Sequence, residues 1–391
     1  MRQESLNRRP IAGGVIRCRV RAAALAQPVT RGLVSDSMSP RRKKRLDPAV
    51  FQIPVEAIRS GMYTDTALAH TRAALRAAGL SPRVVLQFTT KRPALVCGID
   101  EAVAVLKTCA DDWSALTVNA LFEGDRVDAG DTVLTVEGPY ETFAHLETYC
   151  VGVLARRTSL CTTMRTIVEA ARPKPVFVFS ARQDHGLMQP GDGWAVYVGG
   201  AAAVSTDGQG SWWGGKGLGV VPHALIAAFG GDTVAATKAF AEQVPEETRL
   251  IALCDYENNC VKTSLEVARA MEGRLYGVRI DTSQHLVDTS ILSMMGSFPP
   301  TGVNPHLVWN VRNALDEEGF GHVKIIVSGG FTIERIRAFE EDGVPVDAYG
   351  VGSSLYNAHL PFTADIVQLD GAAQSKAGRE ARANARMEKV K

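Results

Sequence analysis

From Pro173 onward the chain alternates short β-branched runs with helical patterns, and no other feature limits its fold so tightly. The runs occupy 176–180 (VFVFS), 201–205 (AAAVS), 250–254 (LIALC), 275–280 (LYGVRI), 324–328 (KIIVS) and 347–352 (DAYGVG), with stretches such as TSLEVARAM and TIERIRAFEEDG between them. Strands in such alternation lie parallel and are joined by right-handed crossovers. Such alternation allows an open sheet or a barrel, and six runs with a seventh at 218–221 favour a closed or nearly closed α/β barrel over 161–365.

Upstream the pattern changes. A helix is predicted from Thr64 to Gly79, a strand over 84–88, a helix over 100–108, a hairpin of two Val-rich runs around Gly130 and Asp131, and helix over 142–171. This is a mixed α+β N-terminal domain, 46–160, ahead of the barrel, and the fold class is α/β. Residues 1–45 carry ten Arg and two Lys against Glu4 and Asp36, without an apolar period. They predict a disordered leader, with Met38 close to the functional start. Residues 371–391, without bulky apolar anchors, predict a frayed helix or disorder, and the disordered tail is placed at 366–391.

Composition bears on partners. With 46% hydrophobic residues, 22% charged residues and a net charge of +1, nothing in the overall balance points to nucleic acid or an anionic membrane. No apolar run approaches the roughly 18 to 20 residues that span a bilayer. The seven cysteines are scattered and form no CxxC pair, which predicts a reducing compartment, the cytoplasm.

In a parallel barrel the chemistry gathers at the C-terminal ends of the strands. Those ends carry Arg182, His185, Ser205, His223, Asp255, Arg279 and Asp281, followed by Ser328, Gly329 and Gly330 and then Gly350, Gly352, Ser353 and Ser354. SGGFT runs into a helix and GVGSS follows the final strand, so glycine amides and a helix N-terminus can cradle a phosphate. Arg279 and Asp281, two apart on one strand, face the same way: the guanidinium suits an anion, the carboxylate sugar hydroxyls or a metal. GSWWGGKG resembles a Walker loop but has Gly217 where magnesium needs Ser or Thr, and is read as a flexible loop. No GxGxxG follows a strand, and HExxH and GxSxG are absent. A sugar-phosphate isomerase or aldolase is the alternative from the residues alone, although no Lys sits at a strand end to form a Schiff base.

Over roughly 61–360 the chain resembles the nicotinate phosphoribosyltransferases, relatives of the quinolinate and nicotinamide enzymes. The resemblance rests on YTD before a helix, VLTVEGPY followed by LET, FSAR, GVVPH, LCD, VRIDTS, IIVSGGF and VDAYGVGS, in that order. It implies that the barrel is an irregular, TIM-like one. It implies transfer of phosphoribose from 5-phosphoribosyl pyrophosphate to nicotinate in NAD biosynthesis, coupled to ATP, with Mg2+, in a homodimer whose active sites lie between one barrel and the other chain's N-terminal domain. It also implies that Arg182 holds the acceptor carboxylate, with Tyr63 and Ser205 beside the substrates. Arg279 and Asp281 take the ribose phosphate region, and Ser328, Gly329, Gly330, Gly350, Gly352 and Ser353 the 5-phosphate. His223, Asp255 and Asp281 are the implied catalytic groups, Asp255 and Asp281 the metal ligands, and Glu147 a weaker candidate. The sequence departs from the family at Ala67, where an aromatic residue stacks on the pyridine and Tyr63 can substitute, at Val220 for Thr, and at Gln183 for Arg. A quinolinate enzyme and a non-catalytic metabolite-binding relative are the alternatives.

Overall fold

The computed structural model describes residues 44–390. The leader up to 43 and the start at Met38 lie outside the described residues. The first domain holds α1 (Val55–Arg59), α2 (Thr66–Ala77), β1 (Arg83–Thr90), β2 (Ala94–Leu95), α3 (Ile99–Cys109), β3 (Thr117–Ala120), β4 (Arg126–Val127) and β5 (Thr132–Pro139). Asp65 starts α2 by accepting the Ala67 N–H at 2.9 Å. Val84, Leu86 and Phe88 alternate along β1 into a core shared with α3, as period two requires. The hairpin expectation fails: β4 pairs with β2, whereas β5 pairs antiparallel with β1 and β3. Gly130, at φ 86°, still makes the turn, but donates its N–H across to Thr90 O at 2.7 Å.

The 25-residue α4 (Glu147–Ala171) joins the two halves of the molecule. Its Cys150 and Leu154 pack in the first core, and its Leu160, Met164 and Ile167 in the second. The barrel follows as β6 (Val176–Val178), α5 (Gln189–Gly199), β7 (Ala203–Val204), α6 (Asp207–Gly210), α7 (His223–Ala228), α8 (Thr233–Ala241), β8 (Leu250–Leu253), α9 (Cys260–Met271), β9 (Leu275–Ile280), α10 (Pro305–Glu317), β10 (Lys324–Val327), α11 (Ile333–Glu341) and β11 (Ala348–Val351). All six strands are parallel, in the order β7-β6-β11-β10-β9-β8. The predicted seventh run is an irregular stave that bridges the two edges: Leu218 N donates to Val204 O at 2.7 Å and Val221 N to Ile251 O at 3.0 Å. Period two sorts the side chains, with Val176, Val178, Ile325 and Val327 against the helices and Phe177, Ile251, Ile326 and Ala348 inside the barrel.

Three sequence expectations are corrected here. The tail is ordered: β12 (Phe362–Leu369) returns beside β1, β13 (Ala372–Ala373) extends that edge, and β14 (Glu388–Lys389) pairs with β3 at the opposite edge. Between them the chain crosses the sheet, held by Gln87 to Arg382 N at 2.8 Å, an Arg379–Asp365 ion pair at 3.3 Å, and Val390, 7% exposed, in the core. Arg45, assigned to the leader, pairs with buried Asp100 at 2.8 Å and caps Leu121 O at 3.0 Å. The GSWWGGKG segment is built rather than flexible: Trp212 packs edge-on against Phe51 at 4.7 Å, Trp213 stacks on Tyr197 at 4.6 Å, and Asp207 accepts the Gly217 N–H at 3.0 Å.

Candidate active site

The C-terminal ends of the barrel strands open onto a cavity of ≈ 510 Å³. Its wall contains Arg182, Ser205, His223, Arg279, Asp281, Ser328, Gly329, Gly330, Gly350, Gly352, Ser353 and Ser354, so most of the residues named from sequence converge there. Leu218 and Val220 of the irregular stave supply an apolar side.

One flank is a fixed polar triangle. Arg279 projects inward because its neighbours Val278 and Ile280 are buried against the helical layer. Its Nη2 donates to Asp281 Oδ2 at 2.6 Å, its Nε to Ser328 Oγ at 3.0 Å, and Ser328 Oγ donates to Asp281 Oδ1 at 2.6 Å. The guanidinium lies 4.7 Å above the Phe179 ring. Phe179 was not singled out in the sequence; period two from Phe177 is the signal that places it inside.

The second flank is a glycine cradle. Gly329 and Gly330 have φ of 85° and 79°, backbone that L side chains rarely adopt, and lead to Thr332, whose hydroxyl caps α11 at Arg335 N. A Cβ on Gly350 would stand 2.6 Å from the Phe179 ring. Ser354 Oγ, on a residue of the cavity wall, is buried without a hydrogen-bond partner. Behind the cradle Arg335 donates to Gly329 O at 2.9 Å, a supporting residue that only the fold reveals.

On the third side His223 begins α7, and its Nε2 lies 3.1 and 3.2 Å from the two oxygens of Asp255. That hydrogen bond raises the imidazole pKa above its ordinary 6.5, against the opposing effect of burial. Asp255 itself, its side chain only 9% exposed, is not part of the cavity wall and reaches it through His223. Arg182 is exposed at the rim, with no hydrogen bond or ion pair among the described residues.

Other sequence candidates stand apart. His185 caps the short 186–188 turn through Nδ1 and is not in the wall. Tyr63 is 48% exposed on the N-terminal domain, 6.1 Å from the Tyr149 ring. Glu147, also in that domain, accepts from Tyr140 Oη at 3.3 Å, and burial pushes its carboxyl up to about 7. Among the described residues no three His, Cys, Asp or Glu side chains gather as a metal site. Of the two candidate carboxylates only Asp281 lines the cavity, so it fits magnesium where substrate oxygens and water complete the shell, the ion's common mode of binding, while Asp255 lies behind His223.

Two family models match the chain, the N-terminal domain of quinolinate phosphoribosyl transferase over 66–158 and its C-terminal domain over 160–361. A nicotinate phosphoribosyltransferase of Mycobacterium tuberculosis is 29% identical over 267 residues, 65% of this chain and 54% of that protein. One from Bacillus subtilis is 25% identical over 240 residues, 61% of this chain and 45% of that protein. The chain thus spans about half the length of the curated relatives it matches. Among solved structures, nicotinate-nucleotide pyrophosphorylase from Pyrococcus furiosus matches with a TM-score of 0.73 at 29% identity, over 87% of this chain and 85% of that one. Human nicotinic acid phosphoribosyltransferase shares the fold, with a TM-score of 0.65 at 17% identity over 82% and 77%.

Proposed function

Because this chain belongs to the quinolinate phosphoribosyl transferase family through both its N- and C-terminal domains, we propose that it joins nicotinate to 5-phosphoribosyl pyrophosphate, yielding nicotinate mononucleotide and pyrophosphate for NAD biosynthesis. The observation that carries the acceptor is Arg182. It is the one guanidinium in the described cavity wall that no carboxylate occupies, since Arg279 is committed to Asp281 and Ser328. One free cation suits one carboxylate, which favours nicotinate over the dicarboxylate quinolinate.

The 5-phosphate sits in the glycine cradle, against the α11 N-terminus and the Ser354 hydroxyl. Asp281, oriented by Arg279 and Ser328, faces the ribose and offsets positive charge as the C1–O bond breaks with its electron pair leaving on pyrophosphate. The pyridine nitrogen, held in line through the Arg182 carboxylate contact, forms the new C1–N bond. Asp281, in the cavity wall, would hold magnesium, with Asp255 behind His223 as the second candidate carboxylate, and the ion would supply positive charge to offset that of the leaving group. His223, its Nε2–H given to Asp255, keeps Nδ1 as the nucleophile for a phosphoryl group from ATP, the route by which turnover couples to hydrolysis. Tyr63 and α2 serve the partner's barrel in a homodimer. The six cysteines among the described residues are buried free thiols, which suits a cytoplasmic setting.

The test is direct: purified protein, Mg2+ and 5-phosphoribosyl pyrophosphate, with nicotinate, quinolinate and nicotinamide offered separately, with and without ATP. Mononucleotide from nicotinate is expected. Release of CO2 with product from quinolinate and none from nicotinate reverses the acceptor assignment.

A further inference from the structure

Arg156 of α4 makes a two-pronged contact with Asp192 of α5, Nε to Oδ1 at 2.9 Å and Nη2 to Oδ2 at 2.7 Å. The Asp192 carboxylate, 4% exposed, is fixed again by Arg157 Nη1 at 2.6 Å, and Arg157 in turn holds Glu101 of α3 at 2.9 Å. From this anchored position the Arg156 guanidinium reaches the Asp184 carboxylate with Nη2 and lies 5.9 Å from the Tyr356 ring. Asp184 is in the exposed loop after β6, two residues beyond Arg182. Tyr356 closes the 353–356 turn that follows the glycine cradle.

The loop therefore contains a cation with no partner and, two residues on, an exposed anion that has one. A free carboxylate so close along an exposed loop competes with any incoming carboxylate for the same guanidinium. We infer that Arg156 is a positioning residue that holds Asp184 away from Arg182, keeping the Arg182 guanidinium open for the acceptor acid. The role rests on the assignment of a pyridine acid to Arg182. Chemically it is charge segregation: Asp192 fixes Arg156, Arg156 occupies Asp184, and Arg182 stays vacant for substrate.

Wild type, Arg156→Gln, Asp184→Asn and the double variant are treated with phenylglyoxal, and modification of Arg182 is followed by peptide mass spectrometry against exposed Arg337 as internal standard. A carboxylate paired with Arg182 slows its reaction, so R156Q is expected to lower the Arg182 rate about fivefold, and D184N and the double variant to match wild type. In turnover, R156Q raises the acceptor KM about tenfold with kcat and the phosphoribosyl pyrophosphate KM unmoved, and adding D184N restores it, which a merely structural contact does not do. Equal Arg182 labelling in all four proteins, or a double variant as impaired as R156Q, overturns the inference. Should R156Q fail to fold, D184N decides alone: acceptor KM and Arg182 labelling at wild-type values support it, and a raised KM overturns it. Labelling needs no turnover, so a wild type inactive on every pyridine acid sinks the nicotinate assignment while the labelling pattern still decides the role of Arg156.

Discussion

The roles proposed for Arg182 and His223 are separate, and substitution should pull them apart. Arg182→Ala removes a charge-assisted contact of about 2 to 4 kcal/mol, so the acceptor KM should rise about thirtyfold or more while that for phosphoribosyl pyrophosphate stays put. Movement of both constants together would show Arg182 to be structural. His223→Ala should abolish ATP stimulation and leave slow ATP-independent transfer. Only neutral imidazole accepts a phosphoryl group, and Asp255 holds His223 protonated to higher pH than usual. Acid-labile label from γ-labelled ATP should therefore increase with pH through a midpoint above 6.5, and a flat profile removes the phosphohistidine step. Gly350→Ala drives a methyl into the Phe179 ring that carries Arg279, and should raise the phosphoribosyl pyrophosphate KM about tenfold while sparing the acceptor. Arg279 and Asp281 were legible in sequence because a two-residue spacing fixes a shared face. Asp255 was legible as a strand-end residue but not as one screened by His223. Arg156 was not legible at all, since its partners come from a loop and a helix that only tertiary packing brings to α4.

At the scale of elements, the strands announced themselves and their partners did not. The runs at 176–180, 250–254, 275–280 and 324–328 contain their strands because buried parallel strands are short, apolar and β-branched. The β4–β5 hairpin failed because a Gly-containing turn specifies a reversal, not which strand lies alongside. The tail escapes the sequence pattern because, beyond Gly371, Met387 and Val390 are its few apolar anchors, and hydrogen bonds such as Gln87 to Arg382 leave no periodic trace. Ending the chain at residue 374 should lower Tm and expose β3 as an edge, detectable as concentration-dependent aggregation on heating; an unchanged Tm refutes the bracing role. At the start of α4, Glu147 has its carboxyl raised from 4.5 to about 7 by burial. A raised folded-state pKa means stability fully present below 4.5 and lost as pH rises through 7. Glu147→Gln should accordingly raise Tm at pH 8 more than at pH 4.5, and an equal shift at both would assign the effect to packing.

At the scale of the whole molecule, Tyr63 stands exposed on the first domain while the cavity belongs to the barrel, so the proposed site would be complete only if a second copy brought its Tyr63 to that barrel. Arg182→Ala and Tyr63→Ala proteins, each poorly active alone, should regain activity on mixing with subunit exchange, because one composite site per heterodimer is then intact. No recovery despite demonstrated exchange makes each chain self-sufficient. The sheet order β13-β12-β1-β5-β3-β14 also has a consequence in time. On the ribosome β1 emerges early, but β12, its hydrogen-bonded neighbour, follows only after every barrel strand has been translated. At about 5 to 20 residues per second, that leaves one side of β1 unpaired in the nascent chain for on the order of tens of seconds. The barrel has all its strands in one continuous stretch and can close during that interval, so vectorial synthesis favours the cavity-bearing half folding first, with the first-made half completed last.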